Sequence, residues 1–128
     1  MTTNPLIYLG SPYTHELMSI REWRVATCAM FAAATRRTGH HCYSSIVECH
    51  TIEKYMPGDC GAFTHWQEYN QLMLRKADLF WILPLPGWEL SRGLQGEQEY
   101  WGQLNKKANP MVLHSWEEIL EKALRKLD

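Results

Sequence analysis

The residues of this chain best suited to chemistry lie in one run, Leu85-Pro86-Gly87-Trp88-Glu89-Leu90-Ser91-Arg92-Gly93-Leu94-Gln95-Gly96-Glu97. Ser91 stands where a helix begins. A serine hydroxyl together with the unpaired N–H groups of a first helical turn forms an anion site. Gly93 and Gly96 strip side chains from that turn, so a ligand can approach the backbone closely. Glu97 follows Ser91 by six residues, just over one and a half turns at about 3.6 residues per turn. A carboxylate so placed can stand beside a sugar whose 5′-phosphate is anchored at the helix tip. The same spacing also describes an ordinary capped helix with a solvated Glu97, and on spacing alone both readings stand.

Such a helix needs a scaffold, and the flanking sequence predicts one. Pro5 to Gly10 reads as a short buried strand stopped by Gly10-Ser11-Pro12. A long helix follows, about Glu16 to Arg37, with Ile20, Trp23, Thr27, Met30 and Ala34 set inward by steps of three and four, and Gly39 as its stop. His41 to Ile46 reads as a second strand, residues 47–61 with Pro57-Gly58-Asp59 as a loop, and Phe63 to Lys76 as a second helix. The continuous apolar run Asp78 to Leu83 reads as a strand covered on both faces. Pro84 to Leu90 is a turn, Arg92 to Asn105 a helix capped by Ser91, Pro110 to Leu113 a strand, and Trp116 to Leu127 a helix with Ser115 and Glu118 in capping-box spacing. Alternating strands and helices predict an α/β fold: one doubly wound, Rossmann-like or flavodoxin-like domain over residues 1–128, with a parallel sheet of four to five strands and helices on both faces. Ligands of such sheets bind beyond the carboxyl ends of the strands, which selects Gly10 to Thr14, Ser44 to His50 and Leu83 to Glu97.

Composition narrows the partners. The 128 residues carry a formal charge of −1 and 45% hydrophobic residues, enough for one core and without the basic field that attracts nucleic acid or an anionic membrane. No apolar run approaches the roughly 20 residues of a spanning helix, and Met1 to Pro5 is polar, unlike a secretory signal. The expectation is a cytoplasmic protein with reduced thiols. Cys28, Cys42, Cys49 and Cys60, with His40, His41, His50 and His65, show none of the paired spacing of a zinc site. No metal is expected, and the cysteines read as small apolar groups.

Taken together, Tyr8-Leu9-Gly10-Ser11-Pro12-Tyr13, Ala77-Asp78 before an apolar strand, and Ser91-x-Gly93-x-x-x-Glu97 resemble the nucleoside 2-deoxyribosyltransferase-like superfamily. The likeness runs from about Ile7 to Leu113. It is nearest to the nucleoside 5′-monophosphate N-hydrolases and to a small branch with a Leu-Pro-Gly-Trp motif, here Leu85-Pro86-Gly87-Trp88. The resemblance implies a homodimer or higher oligomer, no cofactor, and Glu97 as nucleophile. The carboxylate attacks C1′ as the base departs, and water hydrolyses the glycosyl ester or a second base accepts the sugar. Transferases of the superfamily typically carry an aspartate where Ser91 stands. A serine donates to a phosphate that an aspartate would repel, so a 5′-monophosphate is the implied substrate.

Ser11, Tyr13, Arg21 and Arg24 are candidates to help Ser91 and Gly93 hold the substrate, a solvated helix face being the alternative for the two arginines. The superfamily often has an aspartate where Asn70 stands. Asparagine orients a hydroxyl but transfers no proton at neutral pH, leaving Glu68 or Asp78 as substitutes, with a structural role at the strand start the equal alternative for Asp78. Trp66, Tyr69, Tyr13, Tyr43 and Trp88 are candidates to stack on the base, with core packing expected for Trp23 and Trp81. Ser45 and His50 are further base-pocket candidates, His50 as a donor to the departing base, with an incidental loop histidine the alternative. Trp101 and Tyr100 suggest an interface or, equally, a core. Three functions follow: a nucleotide N-glycosidase, a deoxyribosyltransferase on the same intermediate, and a nucleotide-sequestering protein without turnover. Asn70 sustains the last.

Overall fold

The computed structural model describes residues 4–56 and 63–125. Leu6–Gly10 (β1) is nearly all buried and pairs in parallel on both edges, Tyr8 opposite Tyr43 of β2 (His41–Ser44) and opposite Phe80 of β3 (Leu79–Ile82). The short strand β4 (Met111–Val112) adds to β3, giving four parallel strands in the order β2-β1-β3-β4. From β1 the chain crosses through α1 (Met18–Arg37) to β2 on one side. It reaches β3 on the other side through α2 (Ser45–Glu53) and α3 (Phe63–Lys76). Right-handed crossovers in opposite directions put the helices on opposite faces. The sheet alternation follows: Leu9, Leu83 and Leu85 pack with Cys28 and Phe31 of α1 and Leu120 of α5 (Trp116–Arg125). Tyr8, Phe80 and Ile82 pack with Leu74 of α3 and with Leu94 and Trp101 of α4 (Arg92–Gln103). This is the expected single doubly wound α/β domain.

Two elements differ from expectation. In α1 the buried residues are Arg24, Thr27, Cys28, Phe31 and Thr35, while Trp23 and Met30 are 44% and 41% exposed. The threonines turn inward because their hydroxyls bond back to the carbonyls of Trp23 and Phe31, at 2.8 and 2.9 Å, and so bury no unmatched group. The helix therefore rotates away from the face that hydrophobicity alone selects, and Trp23 is not a core residue. Trp81 is half-buried against the α1 layer. The second strand ends at Ser44, and much of the expected loop is α2, whose Ile46 and Cys49 reach the core. The turn placed at Pro57-Gly58-Asp59 lies outside the described residues.

Of the two readings of Tyr100 and Trp101, the fold provides core packing for Trp101. Trp101 is buried within the chain and donates Nε1–H to the Ala108 carbonyl at 2.9 Å, and half-buried Tyr100 accepts from Arg75 at 2.7 Å. Among the described residues no helix is long and apolar enough to cross a membrane.

Candidate functional site

Strand order reverses between β1 and β3, and the carboxyl ends of both strands open into a cavity of about 850 Å3. Its walls come from the loop after β1, from the start of α2, from α3, and from the segment Gly87 to Glu97. These include the three segments that the carboxyl-edge rule selected. Gly10 lets β1 end flush beneath α4, since a Cβ there would stand 2.8 Å from both Leu94 Cδ1 and Phe80 Cε1.

Glu97 projects from the second turn of α4 toward the sheet. Tyr8, in the middle of β1, donates its hydroxyl to Glu97 Oε2, and the Ser45 hydroxyl bonds the same carboxyl. Burial lifts the Glu97 carboxyl from 4.5 to about 7, with the bonds from Tyr8 and Ser45 pulling the other way. Burial first, and then the Glu97 charge, push the Tyr8 phenol well above its usual range, so Tyr8 keeps the proton it donates to Glu97. The solvated Glu97 of a plain capped helix is thus not what the fold provides.

Six residues earlier, Ser91 caps α4: its Oγ accepts from Leu94 N at 3.3 Å and its carbonyl from Gln95 N at 3.0 Å. The Ser91 hydroxyl proton is still free to serve a ligand. Gly93 and Gly96 line the cavity, and no neighbouring atom lies within 4 Å of where a Cβ would project at either. Arg92 also lines it, as does buried Arg24. The Arg24 guanidinium bridges the two rims, donating Nη1–H to Thr14 O at 3.0 Å and Nη2–H to Pro86 O at 2.9 Å. Gly87, in the left-handed region at φ 91°, leaves room for it: a Cβ there would meet Arg24 Nη2 at 3.2 Å. Ser11 is buried on the cavity wall and accepts from the Cys28 thiol at 3.1 Å.

The other candidates divide. Tyr13, Ser45, Trp66 and Asn70 line the cavity. Asn70 Oδ1 accepts from Tyr43 at 3.0 Å, and its side chain bonds Cys49. His50 stands behind Tyr13, its Nδ1 2.7 Å from the Tyr13 hydroxyl and the rings edge to face. Arg21, Tyr43, Tyr69 and Trp88 are not among the lining residues. Trp88 packs on the α4 side of the core, because the helical turn Trp88–Leu90 directs it there. Neither proposed substitute for the missing aspartate reaches the site. Asp78 sits at the amino end of β3, where Oδ2 accepts from Leu6 N at 2.8 Å, and Glu68 is exposed outside the cavity.

Sequence reasoning passed over Tyr8 as a site residue. Its signal was a phenol inside a continuous apolar strand, since a buried hydroxyl requires a polar partner from a covering element. Among the described residues no group of three metal-ligating side chains converges, and Cys28, Cys42 and Cys49 are buried free thiols pushed up by burial to about 12, 11 and 12. Cys60 and the side chain of His65 lie outside the described residues.

Fold and site together define a doubly wound α/β domain with a carboxylate-floored cleft at its topological switch point. Residues 5–115 match the family described as a domain of unknown function, DUF1937, and the chain belongs to that family. No curated protein matches it significantly.

Proposed function

We propose that this protein hydrolyses the N-glycosidic bond of a nucleoside 5′-monophosphate, with Glu97 as nucleophile. One observation carries the reading: a desolvated carboxyl, held by Tyr8 and Ser45 at the floor of a cleft, shares that cleft with a serine-capped helix tip. In this reading the phosphate sits at Ser91 and Gly93 with Arg92 alongside, and the base lies toward Tyr13 and Trp66.

The steps balance with groups that line the cleft. Glu97 carboxylate attacks C1′. The C1′–N bond breaks and its electron pair passes to the base nitrogen, which takes the Tyr13 hydroxyl proton. Water then attacks C1′, releases the Glu97 carboxylate and returns a proton to the Tyr13 phenolate. His50 is thereby assigned to steady Tyr13 rather than to meet the base directly. Asn70, with no proton to give, orients a sugar hydroxyl.

The test is release of free base from a panel of ribo- and deoxyribonucleoside monophosphates, followed by chromatography, with wild type, Glu97→Gln and Tyr13→Phe. Release by wild type that falls at least about a thousandfold in Glu97→Gln supports the nucleophile. Nucleotide binding without any release supports sequestration, and sugar transfer to an added second base supports the transferase.

A further inference from the structure

Helices α2 and α3 wall the cleft, and helical repeat decides which of their side chains line it. On α2 the lining includes Ser45, Cys49 and Glu53, at steps of four residues. Ser45 bonds the Glu97 carboxyl, and Glu53 lies about 12 Å further along the helix axis at 1.5 Å per residue. On α3 the lining includes Asn70, Gln71 and Gln67. Leu74 is fully buried at the deep end of that face and Gln67 is exposed, so Gln67 is nearest the mouth. Cys49 and Asn70 bond across the middle of the cleft. Glu53 and Gln67 come one turn above that bond, one on each wall.

The reaction as written uses none of Glu53, Gln67 and Gln71. Among the described residues their side chains make no hydrogen bond or ion pair within the chain, whereas Asn70 commits its carbonyl to Tyr43. Glu53 also acts on Tyr13: after burial, its charge is what most raises the Tyr13 phenol. It therefore stands close to the hydroxyl assigned to the departing base. A carboxylate accepts hydrogen bonds and donates none. A base carbonyl facing it would set lone pair against lone pair, while an exocyclic amine would bond. A glutamine carboxamide suits the same edge, because it pairs an amine and a neighbouring ring nitrogen together. The length agrees as well. Contacts of about 3 Å at each end of the 12 Å wall, one for attack at C1′ and one for a hydrogen bond, leave about 6 Å. That is the reach of a nucleobase from its sugar bond to its far edge.

We propose that the cleft selects nucleotides whose base carries an exocyclic amine, with Glu53 accepting from that amine and Gln67 and Gln71 bonding the edge beside it. The inference rests on the nucleotide reading of the cleft but not on Glu97 being the nucleophile, since base preference is a property of binding.

Calorimetric titration of the Glu97→Gln chain, which keeps the cleft and removes turnover, tests it with two pairs of 5′-monophosphates. Adenosine against inosine and cytidine against uridine each exchange an amine for a carbonyl. The amino member of at least one pair binds at least about tenfold tighter, as one charge-assisted hydrogen bond supplies, and the pair that responds tells purine from pyrimidine. Adding Glu53→Gln shrinks that preference to within about threefold, because a carboxamide can turn its N–H toward a carbonyl. Circular dichroism stays unchanged, since Glu53 is exposed. Equal affinity within both pairs, tighter binding of the carbonyl members, or a preference that survives Glu53→Gln overturns the base assignment and leaves the hydrolase reading standing. An amine preference in binding, with no base released by wild type, supports the assignment and overturns hydrolysis. Binding of none of the four overturns both.

Discussion

Glu97 carries two consequences that pull in opposite directions. Burial holds its carboxyl near 7 in the folded chain against 4.5 in its ordinary state. Between those values the native protein keeps a proton that the unfolded chain has lost, so stability falls as pH rises from about 4.5 to 7 and levels off above. At roughly 1.4 kcal/mol per pKa unit, the ionised carboxylate destabilises the fold by on the order of 3 kcal/mol. Glu97→Gln removes that slope. Thermal melts should find it as stable as wild type at pH 5 and several degrees more stable at pH 8, while base release is lost. The same ionisation gives the proposed reaction its pH dependence. A nucleophile must be deprotonated, so the rate rises with pH through a limb near 7, whereas a general acid at this position would give a falling limb. Tyr8 supplies the control: its bond lowers the Glu97 pKa, so Tyr8→Phe moves the rising limb to higher pH and reduces turnover at pH 7. An unmoved limb would detach Tyr8 from the titration.

At the scale of elements, the proposed function puts the phosphate on α4 where its helical propensity is poorest. Gly93 costs an exposed helix about 1 kcal/mol relative to alanine, and nothing in the surrounding structure forbids a Cβ there. Gly93→Ala should therefore raise the melting temperature while weakening nucleoside monophosphates more than the matching nucleosides, measured by calorimetric titration. Equal affinity for both variants would remove the phosphate from this helix tip. Gly10 is the contrast, since alanine there meets Leu94 and Phe80 at 2.8 Å and should destabilise by about 1–3 kcal/mol through overpacking. The elements differed in how openly the sequence declared them. β1, α3 and α4 were legible because apolar runs and a serine cap marked them. α2 was hidden: Ser45-Ile46 reads as the end of a strand and Val47 onward as loop, and only tertiary packing of Ile46 and Cys49 makes the segment helix. The facing of α1 was hidden for a related reason, because hydrophobicity ranks Trp23 above Thr27, while a threonine bonded to its own helix buries at little cost.

For the whole molecule, the carboxyl-edge rule found the cleft before any contact was known, since it depends on topology and not on side-chain direction. Direction is what strand and helix spacing leave open, hence the displacement of Trp88 from the cavity and the absence of Arg21 and Glu68 from its lining. Arg24 shows how far one direction can matter. A residue whose type and spacing fit a phosphate site or a solvated face equally turns inward and joins Thr14 to Pro86, segments 72 residues apart in sequence. Arg24→Ala leaves two carbonyls without donors and should cost about 2–4 kcal/mol, read by denaturant titration. Hydrogen exchange should quicken in both loops together, because the Arg24 guanidinium ties one to the other. The mouth of the cleft is in that sense gauged by a single guanidinium, and a nucleotide of the proposed kind would meet an opening already set to width.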